Sequence, residues 1–322
     1  MQDIPNLVYY PDDRPGITRR RCGRGFTYRA PDGTTIDDRD ERRRLAALAV
    51  PPAYEDVWIC PRRDGHLQAS GRDARQRKQY RYHPQWTEFR AQRKYSDLVE
   101  FGHALPRIRR RIAEDLRGEA GDLDFAIAAV LGMIDRLSLR VGNAGYAEEN
   151  GTYGATTLRR RHLKLGKSGL SLNYVAKGGL QVRRRVHDAR LARVLHELDD
   201  LPGSTLIGWI DEDGKPHEVT STHVNGRLAS ITGNDRLTAK TFRTWNGSVA
   251  ALHAAAEADR ITIKEMSEAA SRRLSNTPTI ARNSYIHPAV IALAEDPARI
   301  PRDPPQVRGL RLDERRLLAL IE

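Results

Sequence analysis

The stretch Leu274 to Pro288 reads L-S-N-T-P-T-I-A-R-N-S-Y-I-H-P. A short helix should begin in it. Thr277 can cap that helix, and Pro278 suits its first position, where a missing N–H costs nothing. Asn276 then stands just before the cap, and Tyr285 lies a little over two turns further on. Two readings are open from this stretch alone. In one, Tyr285 is a half-buried packing tyrosine, as most are, and Asn276 is a turn residue. In the other, Tyr285 is a nucleophile and Asn276 donates a hydrogen bond to the group it attacks.

Outward from this stretch the chain reads as helical back to Ala189. Thr262 to Leu274 is one helix, Thr238 caps another that carries Arg243, and Ser221 caps a third that ends near Gly233. Pro202-Gly203 breaks a fourth. Asp211-Glu212-Asp213-Gly214 makes a turn that lacks the later ligands of a calcium loop, so it reads as structural. Beyond Pro288, the segment holding Pro297, Pro301, Pro304 and Pro305 reads as irregular, with a short amphipathic helix from Asp313 to Ile321.

Before Ala189 the pattern changes. Residues 158–186 alternate around two glycine turns, Gly166-Lys167-Ser168-Gly169 and Lys177-Gly178-Gly179, which predicts a three-stranded antiparallel meander. Lys177 lies at the second hairpin tip, as a routine turn lysine or as a cation able to reach out. Asp122 or Asp124 caps an apolar helix that runs through Phe125 to Leu131 towards Arg140. An arginine at that end can simply favour the helix dipole.

The first hundred residues read differently again. Residues 1 to about 20 are rich in Pro and Asp and read as irregular. Gly25 to Thr35 suggests strand, turn, strand, and Asp37 to Ala49 a helix with Leu45, Leu48 and Ala49 on one face. Pro51 and Pro52 stop that helix. Asp56 to Cys60 and Leu67 to Ser70 read as strands around an Arg63-Asp64-Gly65 turn. Helical periodicity resumes from Trp86 to Arg117. The fold class is therefore α+β. A small N-terminal domain (1–95) has a mixed or antiparallel sheet with helices. A larger, mainly α-helical C-terminal domain (96–322) contains the meander.

Charge narrows the function. The 322 residues carry 54 Lys and Arg against 42 Asp and Glu, a net of +12. Arginine supplies most of that charge, and its planar fork suits phosphate. Residues 62–94 alone hold ten basic side chains and three acidic ones. A polyanion, nucleic acid first, is the expected partner, unless the surface is merely a solvated basic one. Within this segment G-R-D-A-R-Q-R-K-Q-Y-R-Y-H, Gly71 to His83, interleaves cations with Tyr80 and Tyr82. The two cysteines, Cys22 and Cys60, match no zinc or redox spacing, and no signal peptide or membrane-length apolar run is legible. A soluble cytoplasmic protein is expected.

Four features stand together: Arg140 after the apolar helix, Lys177 on a hairpin tip, Arg243 in L-T-A-K-T-F-R-T-W-N-G-S, and Asn276 with Tyr285. Their order and contexts resemble the type IB DNA topoisomerases, of the small kind found in poxviruses and bacteria. The run Lys240-Thr241-Phe242-Arg243-Thr244-Trp245-Asn246 and the S/N-T-P-x-I-x-x-x-Y pattern carry the resemblance most specifically. The basic stretch ending Gln79-Tyr80-Arg81-Tyr82 resembles the DNA-contacting strand of that family's first domain. The likeness runs from about Gly25 to Pro288 and leaves the tail unaccounted for.

The resemblance implies a monomeric, nucleoid-associated enzyme that clamps double-stranded DNA and relaxes supercoils by single-strand cleavage and religation. Tyr285 would form a 3′-phosphotyrosyl bond. Arg140, Arg243 and Asn276 would stabilise the phosphate oxygens, and Lys177 would protonate the leaving 5′-oxygen. Arg72, Arg75, Arg77, Lys78, Gln79, Tyr80, Tyr82 and Lys240 would contact DNA. No cofactor, ATP or required metal is implied. Asn276 departs from the histidine of poxvirus and nuclear members; it can still donate to an oxygen but cannot titrate. A tyrosine recombinase shares much of this pattern, but usually has histidine where Lys240 stands. A non-catalytic DNA binder would fit the charge, yet needs none of the four separated residues.

Overall fold

The computed structural model describes residues 6–166 and 169–322. Met1 to Pro5 of the start read as irregular, and Lys167 and Ser168 of the first glycine turn, lie outside the described residues. The chain divides into two compact units, residues 1–94 and 95–322.

The first unit is built on a five-stranded antiparallel sheet. Its strands are β1 (Ile17–Cys22), β2 (Gly25–Arg29), β3 (Glu55–Ile59), β4 (Leu67–Arg72) and β5 (Lys78–Tyr82), in the order β2-β1-β3-β4-β5. Helix α1 (Arg39–Ala47) is capped by Asp38, whose carboxylate accepts from the Glu41 amide at 2.7 Å. Ile17, Tyr28, Leu45, Val57, Ile59 and Ala69 form the core of this unit.

Three readings are corrected here. Strand β1 lies inside the segment taken as irregular. Its I-T-R-R-R-C sequence hides the strand, because only Ile17 is buried. It is held by pairing with β2 and by Arg19, which donates to the carbonyls of Val50, Pro51 and Tyr54. The hairpin therefore turns at Gly23, not at Gly33; beyond Gly33 only an isolated bridge, Arg29 to Thr35, remains. Ala49 is exposed, has left the helix and adopts φ of 49°.

Helix α2 (Pro84–Asp115) leads into the second unit. There α3 (Leu123–Leu137) is the central core element, with eleven buried residues. Burial on that scale stabilises through about 1.5–3 kcal/mol per large apolar side chain. Helix α4 (Ala144–Asn150) is capped by Asn143. The meander follows as β6 (Leu163–Gly166), β7 (Gly169–Ala176) and β8 (Leu180–Val186), with β8 at an edge. Its first strand starts late because Arg160–His162 forms a 3-10 turn.

Helix α5 (Ala189–Asp199) precedes a short hairpin that the sequence did not reveal, β9 (Gly208–Ile210) and β10 (Pro216–Glu218). The acidic turn joins its strands: Asp211 accepts from the amides of Asp213 and Lys215. Helices α6 (Ser221–Thr232), α7 (Ala239–Glu257), α8 (Ile263–Leu274) and α9 (Pro278–Tyr285) complete the bundle. The cap of α6 is Thr220 rather than Ser221. The tail holds α10 (Pro288–Ile291), two 3-10 turns and α11 (Leu312–Ile321), which packs on α7. Among the described residues no helix is long and apolar enough to cross a membrane.

Candidate active site

Four neighbouring helix ends in the second unit build the site. The C-cap of α3, Ser138, takes a left-handed φ of 56°, which ends the helix and turns the chain into Arg140. The loop then needs Gly142, at φ 109°, because a Cβ there would meet the Thr156 hydroxyl at 2.6 Å. The carbonyl of Arg140 accepts from the Ala155 amide at 2.8 Å, so the loop is pinned at the position of the arginine itself.

Helix α7 supplies Arg243. Phe242 and Trp245 are wholly buried and fix the helix rotation. Arg243 is then forced inward and is only 3% exposed. It donates to the carbonyl of Ser138, at the end of α3, and at 3.0 Å to that of Leu274, at the end of α8. Two helix C-termini, each with partial negative charge, thus hold one guanidinium. Its Nε has no partner.

Tyr285 closes α9. Thr277 caps this helix through the Ile280 amide at 3.3 Å, with Pro278 in its first turn. Gly247 lets α7 approach, because a Cβ there would lie 3.2 Å from the Tyr285 Cβ. The Ser248 hydroxyl donates to the Tyr285 carbonyl at 3.1 Å and accepts from the His287 amide at 2.9 Å. The half-buried phenol ring lies under the Arg243 guanidinium, 5.0 Å from ring centroid to carbon. Burial pushes the phenol pKa up, but the charge and hydrogen bonding of Arg243, then Arg140 and Lys240, bring it below the usual tyrosine value. Burial, then Arg140, lowers the pKa of Arg243 in turn.

Asn276 follows Ser275, whose φ is 48°. Its main chain is fixed on both sides. The amide donates to the Ser271 carbonyl at 3.3 Å, and the carbonyl accepts from the Ser271 hydroxyl at 2.5 Å. The side chain is 8% exposed, and neither amide atom has a partner. Arg184 of β8 steadies this turn by donating to the carbonyls of Arg272 and Arg273 and, at 2.9 Å, to the Ser275 hydroxyl.

The structure thus gathers Arg140, Arg243 and Tyr285, with Lys240 within electrostatic reach and Asn276 two residues past a carbonyl that Arg243 holds. Lys177 is not drawn into this group. It stands exposed at the β7–β8 tip, its ammonium 5.7 Å from the centroid of the Tyr146 ring. Sequence reasoning passed over Gly247, Ser248, Arg184 and Tyr174. Tyr174 is buried on β7, and its phenol pKa is raised by burial against the pull of Arg184, Arg140 and Arg243. The inward alternation of β7 was its one available signal.

In the first unit, Arg72 ends β4, and Lys78, Gln79, Tyr80 and Tyr82 lie on β5. Tyr80 and Tyr82 are exposed and stacked, with ring centroids 6.0 Å apart. The cations are partly engaged. Asp73 accepts from the Arg75 and Arg77 amides, the Arg77 side chain and Gln79. The Arg77 bond holds the Asp73 pKa at about 2. Lys78 pairs with Asp12 at 2.8 Å and Arg72 with Asp56 at 3.5 Å. Among the described residues no group of three or more His, Cys, Asp or Glu side chains gathers as a metal site.

The chain is similar to known proteins over most of its length. Residues 25–73 match the family model described as bacterial DNA topoisomerase IB, N-terminal domain. Residues 83–281 match that described as eukaryotic DNA topoisomerase I, catalytic core. The chain is 27% identical over 286 residues to DNA topoisomerase 1B of Acanthamoeba polyphaga mimivirus, covering 84% of this chain and 85% of the relative. It is 22% identical over 229 residues to DNA topoisomerase 1B of vaccinia virus, covering 70% and 72%.

Proposed function

Since the chain belongs to the type IB DNA topoisomerase family, we propose that it relaxes supercoiled duplex DNA through a transient 3′-phosphotyrosyl bond at Tyr285. The observation that carries this reading is the phenol under a buried guanidinium, its pKa lowered although burial opposes ionisation. A free phenol ionises near pH ~10, so such help matters at neutral pH.

The Tyr285 oxygen attacks a backbone phosphorus and the bond from phosphorus to the 5′-oxygen breaks. Arg140 and Arg243 face the negative charge that grows on the non-bridging oxygens, where fixed donors count most. Asn276 adds a neutral donor. The leaving 5′-oxygen takes its proton from Lys177, which stands exposed at the hairpin tip before Gly178 and Gly179, both at positive φ, and swings there from Tyr146. Religation reverses these steps: the 5′-hydroxyl attacks phosphorus and the phenol leaves. The energy of the broken diester is kept in the tyrosyl ester, so ATP is not needed. Charge stabilisation by guanidinium groups likewise makes no demand for a metal.

The first unit offers the DNA surface through Arg72, Arg75, Lys78, Tyr80 and Tyr82, with Arg77 and Gln79 available once they leave Asp73. The protein acts as a monomer on double-stranded DNA in the cytoplasm. The test is incubation with supercoiled plasmid in chelator without ATP, followed by a denaturing trap for protein-linked DNA. Relaxation with a trapped adduct that Tyr285→Phe abolishes supports the reading. Relaxation by Tyr285→Phe, or no adduct with the wild type, sinks it.

A further inference from the structure

Beside Asn276 lies a groove of about 750 Å³, between edge strand β8 and the C-terminal ends of α3 and α8. Arg136, Arg183, Arg184, Arg185, Arg272 and Arg273 line it, and among the described residues no carboxylate does. Charges on an edge strand often serve only to prevent strand pairing, which would account for the exposed Arg183 and Arg185. It does not account for Arg184 and Arg273, which are half-buried side by side. Burial lowers the pKa of both, and Arg184 lowers that of Arg273 further, against a smaller opposite pull from Asp135 and Glu314, which Arg109 already engages. Two sequestered like charges are unfavourable unless an anion joins them. The partners on hand are weak or directed elsewhere. Arg184 and Arg273 donate to backbone carbonyls, Arg136 pairs with Asp188 at 2.6 Å, and Arg272 approaches Glu268 only to 4.0 Å. At the inner end the buried Asn276 amide has neither its donor nor its acceptor satisfied.

We propose that this groove is a second phosphate-binding site, which takes a backbone phosphate of the bound duplex beside the one that Tyr285 attacks. The proposal rests on the reading of Tyr285 as nucleophile, because Asn276 borders both places. A phosphate here would offset part of the positive charge of the buried pair and accept one of the two Asn276 Nδ2 hydrogens, leaving the other for the phosphate that Tyr285 attacks. It would also fix the strand's register, as backbone contacts do. Arg184 then has two jobs: it holds the turn that carries Asn276, and it presents charge to the groove.

The test is a set of duplexes with one neutral methylphosphonate at each backbone position in turn, bound to the wild type and to the Arg272→Ala/Arg273→Ala variant. Arg273 belongs to the half-buried pair and Arg272 is exposed; Arg184 is kept because it holds the turn that carries Asn276, and circular dichroism checks that the variant is folded. The expected result is a position, other than the scissile one, where the neutral linkage weakens the wild type but no longer weakens the variant. The slope of log affinity against log salt should also fall by about 1 for each phosphate that the variant no longer neutralises. Identical interference maps and slopes overturn the groove. So does a wild type that binds inorganic pyrophosphate tightly through these arginines while its map matches the variant's, since the site would then serve a free anion. Trapping the covalent adduct with wild-type protein separates the two claims. An adduct with unchanged maps sinks only the groove, whereas no adduct with altered maps sinks the nucleophile and the placement beside it.

Discussion

Asp135 and Ser138 lie one turn apart at the end of α3, yet their surroundings are opposite. Asp135 shares Arg109 with Glu314 of the tail helix α11, at 2.9 and 2.6 Å. Glu314 is 2% exposed and also accepts from the Arg311 amide at 2.8 Å. One turn on, the Ser138 hydroxyl, the Arg243 Nε and both Asn276 amide atoms are buried without partners. Buried polar groups are normally satisfied, because each one left alone costs about 1–3 kcal/mol. The first cluster therefore reads as an anchor complete within the protein. The second reads as a cradle for a group that arrives from outside.

The largest effect should come from Arg243→Ala, which strikes the cradle where it also serves structure. Losing a donor to developing charge should slow single-turnover cleavage about 10²–10³-fold. The Ser138 and Leu274 carbonyls lose their donor as well, so the melting temperature should fall. The rate–pH profile should move to higher pH: Arg243 lowers the phenol pKa, and without it burial is opposed only by Arg140 and Lys240. A fall in DNA affinity as large as the fall in rate would make Arg243 an anchor and break the contrast.

Arg109→Ala tests the other side. It leaves two buried carboxylates facing each other and should destabilise the fold by about 3–5 kcal/mol, read by urea denaturation. The pH dependence has a definite sign. Burial raises the Glu314 pKa but Arg109 outweighs it, so the carboxyl is held below its usual range. Such a group stabilises above its unfolded pKa of about 4.3 and stops doing so as pH falls through the folded value. The gap between wild type and variant should therefore be widest at neutral pH and narrow below about pH 4. A gap that widens in acid would contradict the pairing.

How much of this could be read beforehand depended on which physics was local. Caps, prolines and glycine turns act over a few residues, so α9, α8, α7 and the meander were legible from Thr277, Pro278, Thr262, Thr238 and the Lys177-Gly178-Gly179 tip. The motif residues Arg243 and Tyr285 were legible by resemblance. Strand β1 was not, because Arg20 and Arg21 are exposed, Arg19 is held by carbonyls distant in sequence, and the strand's stability comes from partners about ten to forty residues away. The β9–β10 hairpin is three residues a side, too short for alternation to register. Arg184 and Ser248 escaped for a third reason: what they hold is backbone, and no sequence pattern marks a distant carbonyl. Nor could Lys177's place over Tyr146 be foreseen, since the two are brought together from distant points of the chain.

Asn276→Ala sharpens the comparison with a smaller effect. If the amide is reserved for a phosphate oxygen, its loss should slow cleavage about 10- to 100-fold, the worth of one hydrogen bond to a charged group. Stability should stay level or rise, because an unsatisfied buried amide is replaced by a methyl group. This is the reverse of Arg109→Ala, which costs stability through broken pairing. Lower stability with an unchanged rate would move Asn276 into the anchor class.

The smallest effect concerns the exposed hairpin of the first unit, where Asp73 does on the surface what Glu314 does inside. Its carboxylate accepts from the Arg75 and Arg77 amides at 2.9 and 3.0 Å and steadies a turn in which Gln76 adopts φ of 58°. Its pKa of about 2 means that it is charged at every pH of interest. Its contribution is complete above about pH 4 and is lost as pH falls through 2. Asp73→Asn should quicken hydrogen exchange at the Arg75 and Arg77 amides at neutral pH, and lower the melting temperature only slightly because the turn it steadies is itself exposed. Duplex affinity should hold or rise slightly, since one negative charge goes and Arg77 and Gln79 are released. Weaker binding would mean that Asp73 presets these two side chains for DNA, which would place the hairpin with the cradle rather than with the anchor.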